Sequence, residues 1–403
     1  MKEQEKKVEE LSLQEIADAY VFGVAKYKEK KEVKEIVDKI NIQVYNYLNK
    51  KEVPKEFQKY LEFYKKGQEL SLAHFNEVSS KLGSQFQKMI FESEAEEVGK
   101  EIIKKNIPKV FQEVENKDRT RSVIFEGKNY TNVFINSAGF GTYLTKDIGL
   151  LKIKKENFSD VEKSLVITDV EQKQHFEMVV EAGEKIAEIS DFVKKSEYLQ
   201  HGRMNFTGNE KISSRYGNVP LALDVIKRVQ ENILEKMVGR DFDEEEKKEI
   251  SEKIAIANLK YSILKVTSGK NISFDLEKDT NPQGNTGSFL LYTLVRAKSI
   301  FRKLGEKNIL EKIEEKKTGL IELEQKFLCF NEEVKKAFQN RSPHFVATYL
   351  YELAKLFNSF YAETKILDEK NPDFIYNLKI VERFEDIMER GLDLMGIERI
   401  EKM

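Results

Sequence analysis

The 403-residue chain predicts an α/β region set behind helical segments, followed by a largely all-α half. Apolar residues recur at three- and four-residue spacing through residues 1–120, as from Leu70 to Leu82, and again from about 222 to the end. That is the period of amphipathic helices. Between about 122 and 170 the pattern changes to short apolar runs parted by turn residues, which marks strands.

The elements follow in order. The charge runs Lys28 to Lys34 and Glu94 to Glu97 fit solvated helix faces. Ser122-Val-Ile-Phe and Asn132-Val-Phe-Ile read as strands joined by the turn-rich Gly127-Lys-Asn-Tyr-Thr-Asn. Leu165-Val-Ile-Thr, with a helical pattern from about Gln172, is expected to be a buried strand feeding a helix, the unit of a parallel sheet. Asp241-Phe-Asp-Glu-Glu-Glu reads as a loop entering a helix, with acidic residues suited to its first turn. Ser342-Pro343 is a second start signal. Phe345, Tyr349, Leu353, Leu356 and Phe360, at spacings of four, four, three and four, predict a helix facing a core.

Composition narrows the function. With 68 basic and 70 acidic residues, the chain is not held on nucleic acid by net charge alone, and it has no acidic solvating tail. Its 26 Phe and 16 Tyr are too many for a disordered polymer. The length favours two or three domains. The single cysteine, Cys329, excludes an intramolecular disulfide and a Cys-based zinc site, and its neighbours Leu328 and Phe330 predict a buried, inert thiol. No apolar run approaches the roughly 18 residues of a membrane span. The N-terminus lacks the apolar stretch of a signal peptide, so a cytoplasmic location is expected.

The segment His201-Gly-Arg-Met-Asn-Phe-Thr-Gly-Asn-Glu-Lys-Ile-Ser-Ser-Arg-Tyr-Gly-Asn-Val219 carries the most chemistry. A lysine beside small hydroxyl residues and glycines suits a polyanionic phosphate chain. In its surroundings it resembles the second signature loop of class I aminoacyl-tRNA synthetases, and more narrowly the Lys-Met-Ser-Ser-Arg-Lys-Gly-Asn version of arginyl-tRNA synthetases. Lys211, Ser213, Ser214, Arg215, Gly217 and Asn218 match; Ile212 replaces Met, and Tyr216 stands where a second Lys is usual.

Further segments resemble that family in the same order. Phe134-Ile-Asn-Ser-Ala-Gly-Phe-Gly-Thr-Tyr-Leu-Thr-Lys-Asp147 is similar to the motif lining the arginine pocket. A guanidinium needs a carboxylate and benefits from an aromatic hydroxyl. The resemblance implies that Tyr143 and Asp147 hold arginine; four apart, they share a face if the segment is helical. Asp169-Val-Glu-Gln-Lys-Gln-His-Phe176 resembles the family's Gln-x-x-His-Phe element and adds Gln172 to the pocket, with His175 read as structural. Ile254 to Leu264, Ile272 to Asp275, Gly284 to Tyr292 and Arg296 resemble the start of the anticodon-binding domain, although Ser288, Phe289 and Leu291 replace the usual Pro, Tyr and Gln. Pro343 to Tyr361 and the ending Gly391 to Met403 also match.

The resemblance therefore implies a partial Rossmann-type catalytic domain with a helical insertion over 1–221, its signature loop at 211–218, and a helical-bundle anticodon-binding domain over 222–403. It implies an arginine–tRNA ligase that joins arginine to tRNA(Arg) through an arginyl-adenylate, with ATP and Mg2+. Lys211, Ser213 and Ser214 take the catalytic role, and Lys211, Ser213, Arg215 and Gly217 bind ATP. Arg296, Tyr349, Asn358 and Met403 are the expected tRNA contacts. Arg296, Lys303 and Lys307, at spacings of seven and four, form a candidate phosphate-facing strip.

None of the four histidines, His74, His175, His201 and His344, begins the family's His-x-Gly-His signature. The chain alone is accordingly expected to be inactive, either as half of a split synthetase completed by a separately encoded N-terminal half or as a truncated reading frame. A non-catalytic tRNA-binding paralogue is the alternative, toward which Tyr216 and Leu291 lean.

Overall fold

The computed structural model describes residues 7–207, 221–237, 239, 242–305 and 321–403. It divides into two units, 1–166 with 172–197 and 167–171 with 198–403.

The first unit opens with α1 (Leu13–Glu29), α2 (Lys31–Leu48), α3 (Gln58–Lys81) and α4 (Glu92–Lys105), as the spacing predicts. Ser12 caps α1 by accepting from the Glu15 amide, and the Glu15 carboxylate bonds back to the Ser12 amide, a capping box that fixes the helix start. Next come β1 (Gln112–Glu115), β2 (Arg121–Glu126) and β3 (Thr131–Ile135), an antiparallel sheet in the order β1-β2-β3. The β2–β3 turn closes through the Gly127 amide and the Tyr130 carbonyl, 3.0 Å apart. α5 (Tyr143–Asn157) packs against α4 so closely that a Cβ on Gly149 would lie 1.9 Å from the Ala95 carbonyl oxygen. On Gly99 it would lie 2.0 Å from that of Thr145. The core beneath holds Phe111, Phe125 and Phe134, with Ile103, Ile148 and Val179.

The apolar run at 165–168 forms β4 (Ser164–Asp169), and a short 3-10 turn leads into α6 (Lys173–Glu184). The expectation of a buried strand is corrected. Successive side chains alternate between faces, and here Ser164 and Thr168 are buried while Leu165 and Ile167 are 49 % and 74 % exposed. α7 (Ser190–Lys195) and β5 (Ser196–His201) follow.

The second unit contains β6 (Met204–Thr207), α8 (Ala222–Lys236), α9 (Glu244–Leu264), β7 (Ile272–Asp275), α10 (Gly287–Leu304), α11 (Glu322–Leu328), α12 (Phe330–Gln339), α13 (His344–Glu363) and α14 (Phe374–Leu394). β6 pairs parallel with β7, Met204 opposite Ile272. This pairing joins 204–207 to 272–275 within the second unit. α9 starts where the acidic cluster predicts, with the Asp243 carboxylate accepting from the Glu246 amide at 2.8 Å. At α13 the N-cap is Pro343, and the Ser342 hydroxyl meets the His344 ring at 2.7 Å and accepts from the Ser268 amide at 3.3 Å rather than capping an amide of the helix. Its buried face is centred on Ala347, Leu350, Leu353 and Phe357, with Phe357 stacked on Phe384 at 3.8 Å.

Cys329 is a second correction: it is exposed, because Phe327 and Phe330 take the core side of the α11–α12 junction. Among the described residues no helix is long and apolar enough to cross a membrane.

Candidate functional site

In the first unit the segment 134–147 forms a strand, a tight turn and a helix. The Asn136 carboxamide oxygen accepts from the Ala138 and Phe140 amides, both at 3.0 Å, and Gly139 adopts φ +81°, a conformation that glycine takes without strain. Buried Glu96 receives the Gly141 amide at 2.9 Å and pairs with Lys100 at 3.3 Å. The Thr145 hydroxyl donates to the Phe134 carbonyl. These bonds fix the start of α5 against β3 and α4, which makes the first turns of α5 a rigid platform.

Tyr143 is the first residue of α5 and is 68 % exposed. Asp147 stands one turn further along the same face. Lys146 lies 4.8 Å from the Tyr143 ring centroid and pairs with Glu92 at 2.7 Å. Burial acts to lower the Lys146 pKa, but Glu92 outweighs it and holds it above the usual value.

The Asp147 carboxylate is met by His175, whose Nε2 lies 2.5 Å from Oδ2; the two side chains are 26 % and 23 % exposed, His175 first. An ionised carboxylate only accepts, so Nε2 carries the proton. The His175 ring meets Phe176 edge-on at 4.9 Å. Lys154, two turns beyond Asp147, has its pKa lowered by burial, with the Asp147 charge opposing the shift. Gln172 is exposed, at the N-cap of α6 and three residues before His175. Lys211, Ser213, Ser214, Arg215 and Gly217 lie outside the described residues.

In the second unit Arg296 of α10 sits between two aromatic rings, 4.7 Å from Tyr292 and 5.0 Å from Tyr361. Its guanidinium donates to the Asn358 side chain at 2.5 Å and to the Tyr292 hydroxyl at 3.0 Å. Asn358 in turn donates to the Thr293 hydroxyl at 3.1 Å. Arg296, Asn358 and Met403 line one cavity of 450 Å³ with Phe289, Tyr292 and Lys236. Burial lowers the Lys236 pKa, and its ammonium donates to the Thr280 hydroxyl at 2.7 Å. An aromatic-flanked cation beside a polar amide suits an unstacked base or a phosphate.

One expectation is corrected here. Tyr349 is 1 % exposed, donates its hydroxyl to the Lys326 carbonyl at 2.9 Å and packs on Phe330, so it is core and cannot stack on a base. The Arg296 guanidinium lies between the tyrosine rings and Lys303 is exposed, while Lys307 of the expected strip lies outside the described residues. Sequence reasoning misses Tyr292 as a lining residue of the cavity, Tyr361 as the second ring against Arg296 and His175 as the partner of Asp147. The four-residue spacings Tyr292–Arg296 and Tyr143–Asp147 are the signals the sequence offers.

Comparison with solved structures gives the class. The chain has a TM-score of 0.71 to arginyl-tRNA synthetase from Plasmodium falciparum, at 19 % identity, covering 98 % of this chain and 68 % of that one. For the arginyl-tRNA synthetase of Thermus thermophilus the TM-score is 0.69, also at 19 % identity, covering 95 % and 73 %. At such identities the likeness shows the fold, that of a class I aminoacyl-tRNA synthetase. The family model for the catalytic domain of class I tRNA synthetases (R) matches residues 1–276, and that of the DALR anticodon binding domain matches 290–403. The chain belongs to the arginyl family of class I tRNA synthetases. It is 29 % identical over 345 residues to the arginine–tRNA ligase of Parabacteroides distasonis, covering 82 % of this chain and 56 % of the relative. It is 30 % identical over 283 residues to that of Alkaliphilus oremlandii, covering 67 % and 47 %. The chain thus spans about half the length of the curated relatives it matches.

Proposed function

We propose that the chain carries the arginine-binding and tRNA-binding parts of an arginine–tRNA ligase, which joins arginine to tRNA(Arg) at the expense of ATP. The observation that carries this reading is the partly open Asp147 carboxylate, held one turn into α5 with Tyr143 on the same face. A carboxylate in that setting accepts guanidinium N–H groups, and a tyrosine hydroxyl adds a neutral acceptor. Gln172 supplies an amide at the nearby end of α6.

In the proposed reaction an arginine carboxylate oxygen attacks the α-phosphorus of ATP. The new P–O bond forms as the bond to the bridging oxygen breaks, and pyrophosphate leaves with that electron pair. Lys211 and the Ser213 and Ser214 hydroxyls would stabilise the charge that develops on pyrophosphate, with Arg215 and Gly217 holding the phosphates. A terminal ribose hydroxyl of tRNA(Arg) then attacks the arginyl-adenylate carbonyl and releases AMP. Among the described residues no group of three or more His, Cys, Asp or Glu side chains is placed to hold a metal. Magnesium enters this reading only with the ATP phosphates.

The cavity lined by Arg296, Asn358 and Met403 is the proposed tRNA contact. A separately encoded N-terminal half is proposed as a partner that supplies the remaining ATP contacts. A cytoplasmic location belongs to the same reading.

Arginine and tRNA(Arg) titrations of the wild-type chain and Asp147→Ala test it. Loss of arginine binding with unchanged tRNA affinity supports the reading; equal loss of both would mark a folding defect and remove Asp147 from the pocket.

A further inference from the structure

We infer that His175 is a positioning residue for substrate arginine, pinning the Asp147 carboxylate so that Oδ1 faces the incoming guanidinium instead of turning toward Lys154. The inference rests on the reading of Asp147 as an arginine ligand and deepens it. The sequence suggests a structural histidine, but the His175 ring donates to Asp147 Oδ2 at 2.5 Å with both side chains partly open to solvent. Packing on Phe176 limits rotation of the imidazole. With Oδ2 occupied, the carboxylate plane is fixed and Oδ1 keeps its lone pairs for a ligand.

Lys154 gives this restraint its purpose. It lies seven residues after Asp147, so both project from one side of α5. Its ammonium is partly buried, has no hydrogen-bond or ion-pair partner among the described residues, and feels the Asp147 charge. Without the His175 bond, the attraction of this cation would draw the carboxylate along the helix and away from the Tyr143 end. A ligand group held by a second side chain keeps its orientation before substrate arrives, and such preorganisation lowers the cost of binding.

The test is an NMR titration of the chain with L-arginine and with its neutral isostere L-citrulline. His175→Leu should weaken arginine binding at least about tenfold, the scale of a lost hydrogen bond to a charged group. Its preference for arginine over citrulline should fall as well. His175→Gln, whose amide reaches as far as Nε2, should restore most of both. His175→Asn, whose amide ends short, should behave as the leucine variant does and keeps the test open if that variant does not fold. Adding Lys154→Met to His175→Leu should recover affinity, which a purely structural role for His175 would not produce.

Unchanged or tighter arginine binding in His175→Leu or His175→Asn, with binding lost in Asp147→Asn, would overturn the positioning role alone. Binding by Asp147→Asn equal to that of the wild type, or no binding by the wild type, would overturn the arginine pocket and the inference with it.

Discussion

Asp147 illustrates how a single carboxylate is set for its proposed role by its supports. Its place follows from the bonds that lock 134–145, and its orientation follows from His175. The Tyr143–Asp147 spacing is legible in the sequence, because four residues make one helical face. The His175 contact is not, since α5 and α6 are separated by β4 and nothing in local periodicity reports a ring meeting a carboxylate 28 residues away. Tyr349 fails for the opposite reason. It belongs to a motif-rich helix, but a period shared by core and surface aromatics does not tell which ring is buried. Tyr349→Phe should therefore cost about 1 kcal/mol of stability, the worth of its hydroxyl bond to the Lys326 carbonyl. It should leave tRNA(Arg) affinity within about twofold, whereas Arg296→Ala should weaken it about tenfold, the scale of a charge-assisted contact. A filter-binding comparison of the two variants checks both.

At the scale of elements, α4 and α5 form a tightly constrained pair. Gly99 and Gly149 let two helix backbones approach to where a Cβ would overlap a carbonyl oxygen. Gly149→Ala must push the helices apart and with them the platform bearing Tyr143 and Asp147, so we expect destabilisation above about 3 kcal/mol, beyond ordinary overpacking. At Gly23 in α1 a methyl group would meet nothing within 4 Å, and Gly23→Ala should stabilise by about 1 kcal/mol through helix propensity. Denaturation midpoints moving in opposite directions would bear this out; equal shifts would contradict it. The helices and the β2–β3 hairpin are readable from period and turn residues. The exposed apolar face of β4 is not, because a short apolar run cannot say which neighbours cover it. The α4–α5 approach is equally hidden, since a helical glycine looks the same in sequence whether it faces solvent or a backbone.

For the molecule as a whole, the β6–β7 pairing joins Met204 to Ile272 across a long stretch of chain that no local pattern announces. The helical spacing from about 222 shows only where the later run of helices begins. Several carboxylates link stability to pH. The Glu171 amide and then Arg203 hold the Asp169 pKa below its usual value, Lys152 does so for Glu188, and Lys155 for Asp191. A folded pKa below the unfolded one means that the stabilisation is complete above the unfolded value and lost as pH falls through the folded value. Thermal stability should therefore hold through neutral pH and decline below about pH 4, with a smaller acid loss in Lys155→Met.

Whether this chain supplies the arginine and tRNA sites of a ligase is decided by ATP-dependent charging of tRNA(Arg) with labelled arginine. The reaction is run with the chain alone and with the chain mixed with the N-terminal half of a related arginine–tRNA ligase. Arginyl-tRNA is expected from the mixture, and Asp147→Ala should abolish it. No product from either reaction, while the chain still binds tRNA(Arg), would contradict the ligase reading and leave a tRNA-binding protein in its place.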